Sequence, residues 1–307
     1  MRICVAHETM YRYDTPPSGV IQTLRMTPRN HDGQYVVDWR IDVSADCRLE
    51  ANEDAFGNIV HAFSSGGPIE ELRVLVEGEV ETQDTAGVVR GTVERFPPSL
   101  FLRETPLTRA DDAILGYARQ FPRPDEPATL QTLHALLAKV HQDLTFDPGA
   151  ENPNRTAAEA FANERGNWAD LTHVFLAIVR TLGVPARFVS GYYRGADRIA
   201  ANLKLSQVPS QSDQQSLQEM TQDLKDDAAD GEAKDRAHAW AEAHVPGLGW
   251  VGFDPVNGVC VTDQHIRVAI GLDQLGAAPV RGAHYGGGRE LLAVKLIVSQ
   301  ASWQAQG

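Results

Sequence analysis

Cysteine is nearly absent: Cys4, Cys47 and Cys260 are the only three in 307 residues. They are odd in number and widely separated, with no CxxC or CxH grouping, so neither a disulfide framework nor a zinc site is expected. Long apolar runs are missing too, and nothing approaches the ~18 consecutive apolar residues that span a bilayer. The first fourteen residues, MRICVAHETMYRYD, turn polar too early for a secretory signal. The expectation is a cytoplasmic protein without membrane partners. Basic residues are in deficit, 28 Lys and Arg against 41 Asp and Glu, giving a net charge of -13. That balance excludes nonspecific binding to phosphate backbones, and no nucleic acid partner is expected. The run Gly286-Gly287-Gly288 is followed by no Lys-Ser or Lys-Thr, so it is read as a turn and implies no nucleotide cofactor.

What the chain does have is patterning. Over residues 1–85, short runs alternate polar and apolar side chains, as in Val36 to Val43 and Leu72 to Val80. This predicts an antiparallel β-sandwich. Between Leu49 and Ile59-Val60, the segment Asp54-Ala55-Phe56-Gly57-Asn58 reads as a turn, with Gly57 and Asn58 able to take positive φ. A connector, residues 86–107, contains Phe96-Pro97-Pro98-Ser99.

From residue 108 the period becomes helical. Thr108 and Asp111 suggest an N-cap region, and Leu130, Leu133, Leu136, Leu137, Val140 and Leu144 trace a stripe on a second helix. A third helix is predicted from Thr156 to Asn163. In the fourth, Leu171, Val174, Phe175, Ile178, Val179 and Leu182 recur at helical spacing until Gly183-Val184-Pro185 stops the run, which predicts a buried helix starting near Trp168. Strands are expected at Ala186 to Tyr193, Ala239 to Val245, Gly249 to Phe253 and Leu291 to Ser299. Strands, then helices, then strands make an α+β fold, with a core over 108–285 and a C-terminal strand and tail over 286–307.

Residues 206–235 are rich in Gln, Ser and Asp and carry -6 of the net -13. Leu217, Met220 and Leu224 allow one thin amphipathic helix there, against the plainer reading of a solvated insertion.

Two clusters can carry chemistry. One runs from Arg165 through Gly166, Asn167, Trp168 and Asp170 to His173, at the start of the buried helix. The other is His238-Ala239-Trp240-Ala241-Glu242 together with Gly249 to Pro255. Here His238 and Asp254 fall on neighbouring strands joined by a short turn. A carboxylate in that position fixes the imidazole tautomer and stabilises imidazolium, leaving the second ring nitrogen to act as a base. A histidine–carboxylate contact also occurs in sheets for purely structural reasons.

Together these clusters resemble the transglutaminase-like superfamily, in its bacterial form with an N-terminal β-domain and a papain-like thiol core. In that family a Gly-Val-Cys-Gln-Asp-Phe-Ala-His motif opens the core helix, followed by a His-Ala-Trp-Ala-Glu strand and an Asp-Pro-x-Asn turn. Here the strand is His238-Ala239-Trp240-Ala241-Glu242 and the turn Asp254-Pro255-Val256-Asn257. His7 to Tyr13, Leu24 to Arg29, the Asp54 to Asn58 turn, Leu182 to Arg187, Ser190 to Tyr192 and Pro279 to Gly282 match further landmarks. The resemblance implies an N-terminal β-sandwich followed by helices packed on an antiparallel sheet. It gives His238 the part of general base and Asp254 that of orienting carboxylate, aligns Gly166, Asp170 and His173 with residues around the nucleophile, and sets Trp168 on the cysteine position. Gly166, Asn167, Asp170 and Trp240 would line the pocket.

Indole offers no lone pair for attack on a carbonyl and fills the space the substrate needs. Of the possible substitutes, Asn167 and Ala169 are not nucleophiles, Thr172 is predicted to face the wrong way, and Cys260 in Val259-Cys260-Val261 reads as core. No metal is expected: His238 and His244 would lie about 20 Å apart at ~3.3 Å per residue, and His7, His61, His173, His265 and His284 show no ligand spacing. Trp240 and Trp250 also read as packing residues. Two readings follow. The first is a pseudoenzyme that binds or scaffolds a protein or peptide in an amide-modification system. The second is a residual hydrolase in which His238 and Asp254 activate water. Neither a named partner nor an oligomeric state follows from the sequence.

Overall fold

The computed structural model describes residues 1–122, 129–149, 152, 154–195 and 236–300. The acidic stretch 206–235, with Leu217, Met220 and Leu224, lies outside them. The chain opens with β1 (Arg2–Tyr13), β2 (Gly19–Thr27), β3 (Gln34–Val43), β4 (Glu50–Glu53), β5 (Ile59–Gly66) and β6 (Glu71–Thr82). Next come β7 (Val88–Val89), a 3-10 turn at Pro98–Leu102, α1 (Asp112–Ala118), α2 (Thr129–Asp143), β8 (Thr145–Phe146), α3 (Ala157–Ala162), β9 (Arg165–Gly166) and α4 (Trp168–Thr181). The remainder is β10 (Ala186–Tyr193), β11 (Arg236–Val245), β12 (Gly249–Asp254), β13 (Val259–Cys260), β14 (His265–Gly271), β15 (Val280–Tyr285) and β16 (Glu290–Gln300). This is the expected α+β arrangement, and no described helix is long and apolar enough to cross a membrane.

Two four-stranded sheets, β16-β1-β6-β3 and β15-β2-β5-β4, face each other as the sandwich. Tyr11, Leu24, Met26, Phe63, Leu72 and Val74 fill the space between them. Alternation along β1 buries every second residue, as a half-buried strand requires. The inward row divides by position: Tyr11 and Tyr13 enter the sandwich core, while Ile3 and Val5 join the core around the helices. One strand thus serves both halves of the molecule.

The sandwich is completed from the far end of the chain. β16 pairs with β1 across Tyr13↔Glu290 to Ile3↔Gln300, and β15 pairs with β2. Residues 280–285, expected in the core, therefore belong to the sandwich. Their sequence gives no warning, because β15 contributes backbone pairing while most of its side chains stay exposed. The connector 86–107 also departs from a plain linker. Its β7 pairs with β12, and Phe101 is buried against Trp240 and Trp250.

The core sheet runs β13-β12-β11-β10-β14, and α4 packs against β11 and β10. Leu171, Val174, Phe175, Ile178 and Val179 lie buried in the same core cluster as Phe188, Ala239, Ala241 and Phe253. Small residues on β11 let the helix approach closely. Helix starts follow local chemistry: Asp111 caps α1 by accepting from the Ile114 N–H, and Thr156 with Glu159 forms a capping box at α3.

β14 is an edge strand, and two amides from the sandwich side cover its edge. The Gln34 amide donates to the Arg267 carbonyl at 2.9 Å and accepts from the Arg267 N–H at 2.8 Å; Asn58 does the same to Ile270, at 2.8 Å each way. A bulge at Val268 brings both residues to the same side. Gly57 takes positive φ in the Asp54–Asn58 turn, as expected. Asn58 does not, and its side chain serves the clamp instead. Asn58→Ala leaves buried backbone groups of Ile270 unpaired and should lower stability by about 1–3 kcal/mol in urea unfolding. A change inside about 0.5 kcal/mol, the range of ordinary surface substitutions, would show that the clamp contributes nothing.

Candidate functional site

At the start of α4 the chain leaves β9 and turns into the helix over Asn167. Its side-chain oxygen accepts from the Ala169 and Asp170 N–H groups at 2.9 and 3.0 Å, and Asp170 returns the contact by accepting from the Asn167 N–H at 2.9 Å. Arg155 adds a hydrogen bond to the same Asp170 oxygen at 3.1 Å. Gly166 is required by this packing, because a Cβ there would lie 2.4 Å from the Asp170 Cβ. Gly166, Asn167 and Asp170, expected as pocket walls, are all buried and build the helix start. Trp168 is the first helical residue, partly buried against the core. Its carbonyl accepts from the Thr172 hydroxyl at 2.7 Å, which turns that hydroxyl along the helix. His173 is fully enclosed, accepts at Nε2 from the Gln274 N–H, and is driven by burial to a pKa of about 4.

A second group forms where β11 and β12 lie side by side. Asp254 ends β12, and the turn through Pro255 wraps its carboxylate in donors. Oδ1 accepts from the Val256 and Asn257 N–H groups at 3.0 and 3.2 Å; Oδ2 accepts from His238 Nε2 at 2.7 Å, Asn257 Nδ2 at 2.6 Å and His265 Nε2 at 3.2 Å. Burial opposes charge on Asp254, but the His238 imidazole and the hydrogen bonds from both histidines outweigh it and hold the carboxyl far below the ordinary carboxylate range. The carboxylate is thus a pure acceptor. His238 must carry its proton on Nε2, which leaves Nδ1 as the basic nitrogen.

His265 and the role of Asn257 were not anticipated. His265 sits eleven residues beyond Asp254 at the head of β14, and only pairing of β14 with β10 brings it to the carboxylate. A local signal existed in Thr262: its N–H donates to His265 Nδ1 at 3.1 Å, three residues away. Tyr193 covers both imidazoles, with ring centroids 5.2 Å from His238 and 4.6 Å from His265. Trp240, expected as a pocket wall, is 1% exposed and packs with Val89, Phe101 and Trp250. It lies edge-on beneath His265, supporting the group from within.

His238, Asp254 and His265 place one ligand atom each within 4.8 Å of one another, a grouping that could be taken for a two-histidine, one-carboxylate metal site. The tautomer of His265 argues against it. With Nδ1 accepting from a backbone N–H, the neutral ring carries its proton on Nε2, the atom that would have to face a metal. Cys260, expected in the core, packs against the margin of that core. It lies partly buried at the sheet edge, 3.4 Å from His134 Nε2, and burial pushes its thiol pKa up, away from the reactive thiolate. The chemistry on offer is a histidine base with a fixed tautomer, set on a rigid carboxylate.

Two family profiles match in series. "Bacterial transglutaminase-like N-terminal region" covers residues 3–81, and "Transglutaminase-like superfamily" covers residues 116–255. An uncharacterized protein of Mycobacterium leprae is 26% identical over 309 residues, spanning 97% of this chain and 99% of that protein. An uncharacterized protein of Mycobacterium tuberculosis H37Rv is 24% identical over 303 residues, spanning 92% of this chain and 88% of the other. Among solved structures, one described as a proposed cysteine protease from Cytophaga hutchinsonii superposes with a TM-score of 0.68 at 16% identity, covering 99% of this chain and 92% of that one. At that identity the likeness speaks for the fold.

Proposed function

This chain is a member of the transglutaminase-like superfamily, and we propose that it acts as a pseudoenzyme that binds a protein or peptide, with Trp168 standing where the family's nucleophilic cysteine would be. The observation that carries this reading is the place of Trp168 as first residue of α4, directly after its cap. A thiol there would gain from the partial positive charges at the helix N-terminus, which favour thiolate. An indole gains nothing from them and cannot attack an amide carbonyl. Neither Thr172, bonded to its own helix, nor Cys260, with its raised pKa, replaces the thiol.

On this reading the His238/Asp254 pair is an inherited framework, and the acidic stretch 206–235 adds contact surface for the partner. Three unpaired cysteines favour a reducing, cytoplasmic setting. Wild-type protein should show no turnover of amide or peptide substrates, while Trp168→Cys should react with thiol-trapping reagents and gain amidase or acyl-transfer activity. Wild-type turnover abolished by His238→Ala would overturn the pseudoenzyme. Capture of a partner that weakens on deletion of 206–235 would support the binding surface.

A second reading has its own observation. Asp254 is held ionised by donors on both oxygens, and His238 Nδ1 is left basic. Such a pair could activate water against an amide or ester without a covalent intermediate. General-base catalysis contributes roughly 100- to 10,000-fold, so His238→Ala and Asp254→Asn should each remove most of such an activity. Indifference to both substitutions eliminates this reading.

A further inference from the structure

We propose that His265 is a positioning residue for His238, acting through Asp254 as a second donor whose proton is locked in place. The inference rests on reading His238 and Asp254 as the functional pair. A carboxylate offers about four lone-pair sites, and five donors share those of Asp254: two N–H groups of its own turn, the Asn257 amide and the two imidazoles. The turn contacts fix Oδ1. Oδ2 is shared by Asn257 of the turn, His238 on β11 and His265 on β14, so His265 is the donor that ties it to a second strand.

The lock on His265 comes from its far side. Thr262 donates its backbone N–H to Nδ1 at 3.1 Å, so that nitrogen cannot carry a proton without opposing this donor. His265 is fully enclosed, set under Tyr193 and against the Trp240 edge, and burial lowers its pKa against the opposing pull of Asp254. It is therefore a donor whose ring is held from turning by contacts on both nitrogens and both faces. Asp254 can give its remaining capacity to His238 Nε2–H, which keeps Nδ1 of His238 as the single basic site. β14 is in turn held by the Gln34 and Asn58 amides, so the sandwich half of the molecule sets the position of this donor.

Solution NMR of the histidine ring nitrogens and ring protons, on the full chain, tests this. In the wild type, His265 and His238 should both be Nε2–H tautomers, with a slowly exchanging His238 ring proton. His265→Phe keeps the stacking and removes the donor. Exchange of the His238 proton should become about ten- to a hundredfold faster, the scale for losing a hydrogen bond to a charged group, with both tautomers populated. His265→Gln returns an amide donor and should restore protection, which a purely packing role for the ring would not. Unchanged exchange in His265→Phe overturns the proposal, as does failure of His265→Gln to restore protection at unchanged Tm. If His265→Phe does not fold, the wild-type spectrum still decides, because an Nδ1–H tautomer of His265 is incompatible with it. The readout is a proton, not turnover, so a silent Trp168→Cys leaves it intact and the two ideas can fail separately.

Discussion

Glu242→Gln should destabilise the fold by about 3–5 kcal/mol, the scale for breaking a buried ion pair by removing one partner. Glu242 is fully buried between two guanidinium groups: Arg187 Nε at 2.7 Å and Arg267 Nε at 2.7 Å, the latter with a second contact at 3.2 Å. Arg187 is itself 0% exposed, reaches Glu94 of the connector at 2.9 Å, and lies with its guanidinium 4.0 Å from the Trp250 ring centroid. The glutamine fits the space but leaves two positive charges without their shared counter-charge. Urea unfolding should show a lower midpoint with an unchanged slope. Replacing the group as a whole, with Glu242→Leu, Arg187→Met and Arg267→Met, should recover most of the loss, since apolar residues of similar volume carry no desolvation cost. A Glu242→Gln protein within about 1 kcal/mol of wild type, the median worth of an exposed pair, would show that water reaches this group.

The same site gives an acid limit. Burial opposes ionisation of Glu242, but Arg267 and Arg187 overcome it and hold its pKa at about 2, against an ordinary value of 4.5. A depressed carboxylate contributes stability that is complete above the unfolded pKa and is lost as pH falls through the folded one. Its contribution should fade between pH 4.5 and 2. An earlier loss comes from His7 and His173, both lowered by burial from 6.5 to about 4. The unfolded chain takes up these protons first, so stability should already decline between pH 6.5 and 4. Urea midpoints across pH should fall in both windows, and Glu242→Gln should flatten the lower one selectively.

Gly191→Ala should be the second severe change. Gly191 pairs with His238 on one side and Arg267 on the other. A Cβ would stand 2.1 Å from the Ile266 carbonyl oxygen and 2.6 Å from Trp240 Cη2. The oxygen belongs to backbone and the indole is buried, so β14 must move. Overpacking of this kind costs about 1–3 kcal/mol, occasionally more, and the displaced residues adjoin His265 and His238. A lower Tm should therefore be accompanied by a changed His238 ring signal. Gly116→Ala is the counterpart: nothing lies within 4 Å of the added methyl in α1. It should raise stability by about 0.5–1 kcal/mol. If the two alanines shift Tm equally, close packing at Gly191 is refuted.

Much of the fold was legible because it is written in local periodicity. The stripe from Leu171 to Leu182 put the start of α4 near Trp168, its first residue, and a helix was expected from Thr156, the residue that caps α3. β11 and β12 were expected as neighbouring strands over Ala239 to Val245 and Gly249 to Phe253, and the His238–Asp254 contact was expected from the short turn between them. Asn167 and Asp170 were visible as a pair but read as pocket walls, because the sequence does not say whether a polar side chain turns towards a ligand or back to its own helix.

Trp168 and the His/Asp pair were thus fixed by the order of residues, since helix entry and hairpin neighbours depend on contacts close in sequence. Tertiary structure alone decided that β15 and β16 complete the sandwich, that Gln34 and Asn58 cover β14, that Arg187 and Arg267 share Glu242, and that His265 meets Asp254. Backbone pairing at a sheet edge has no side-chain signature. A buried charge declares its partner only when strands far apart in the chain are brought into register.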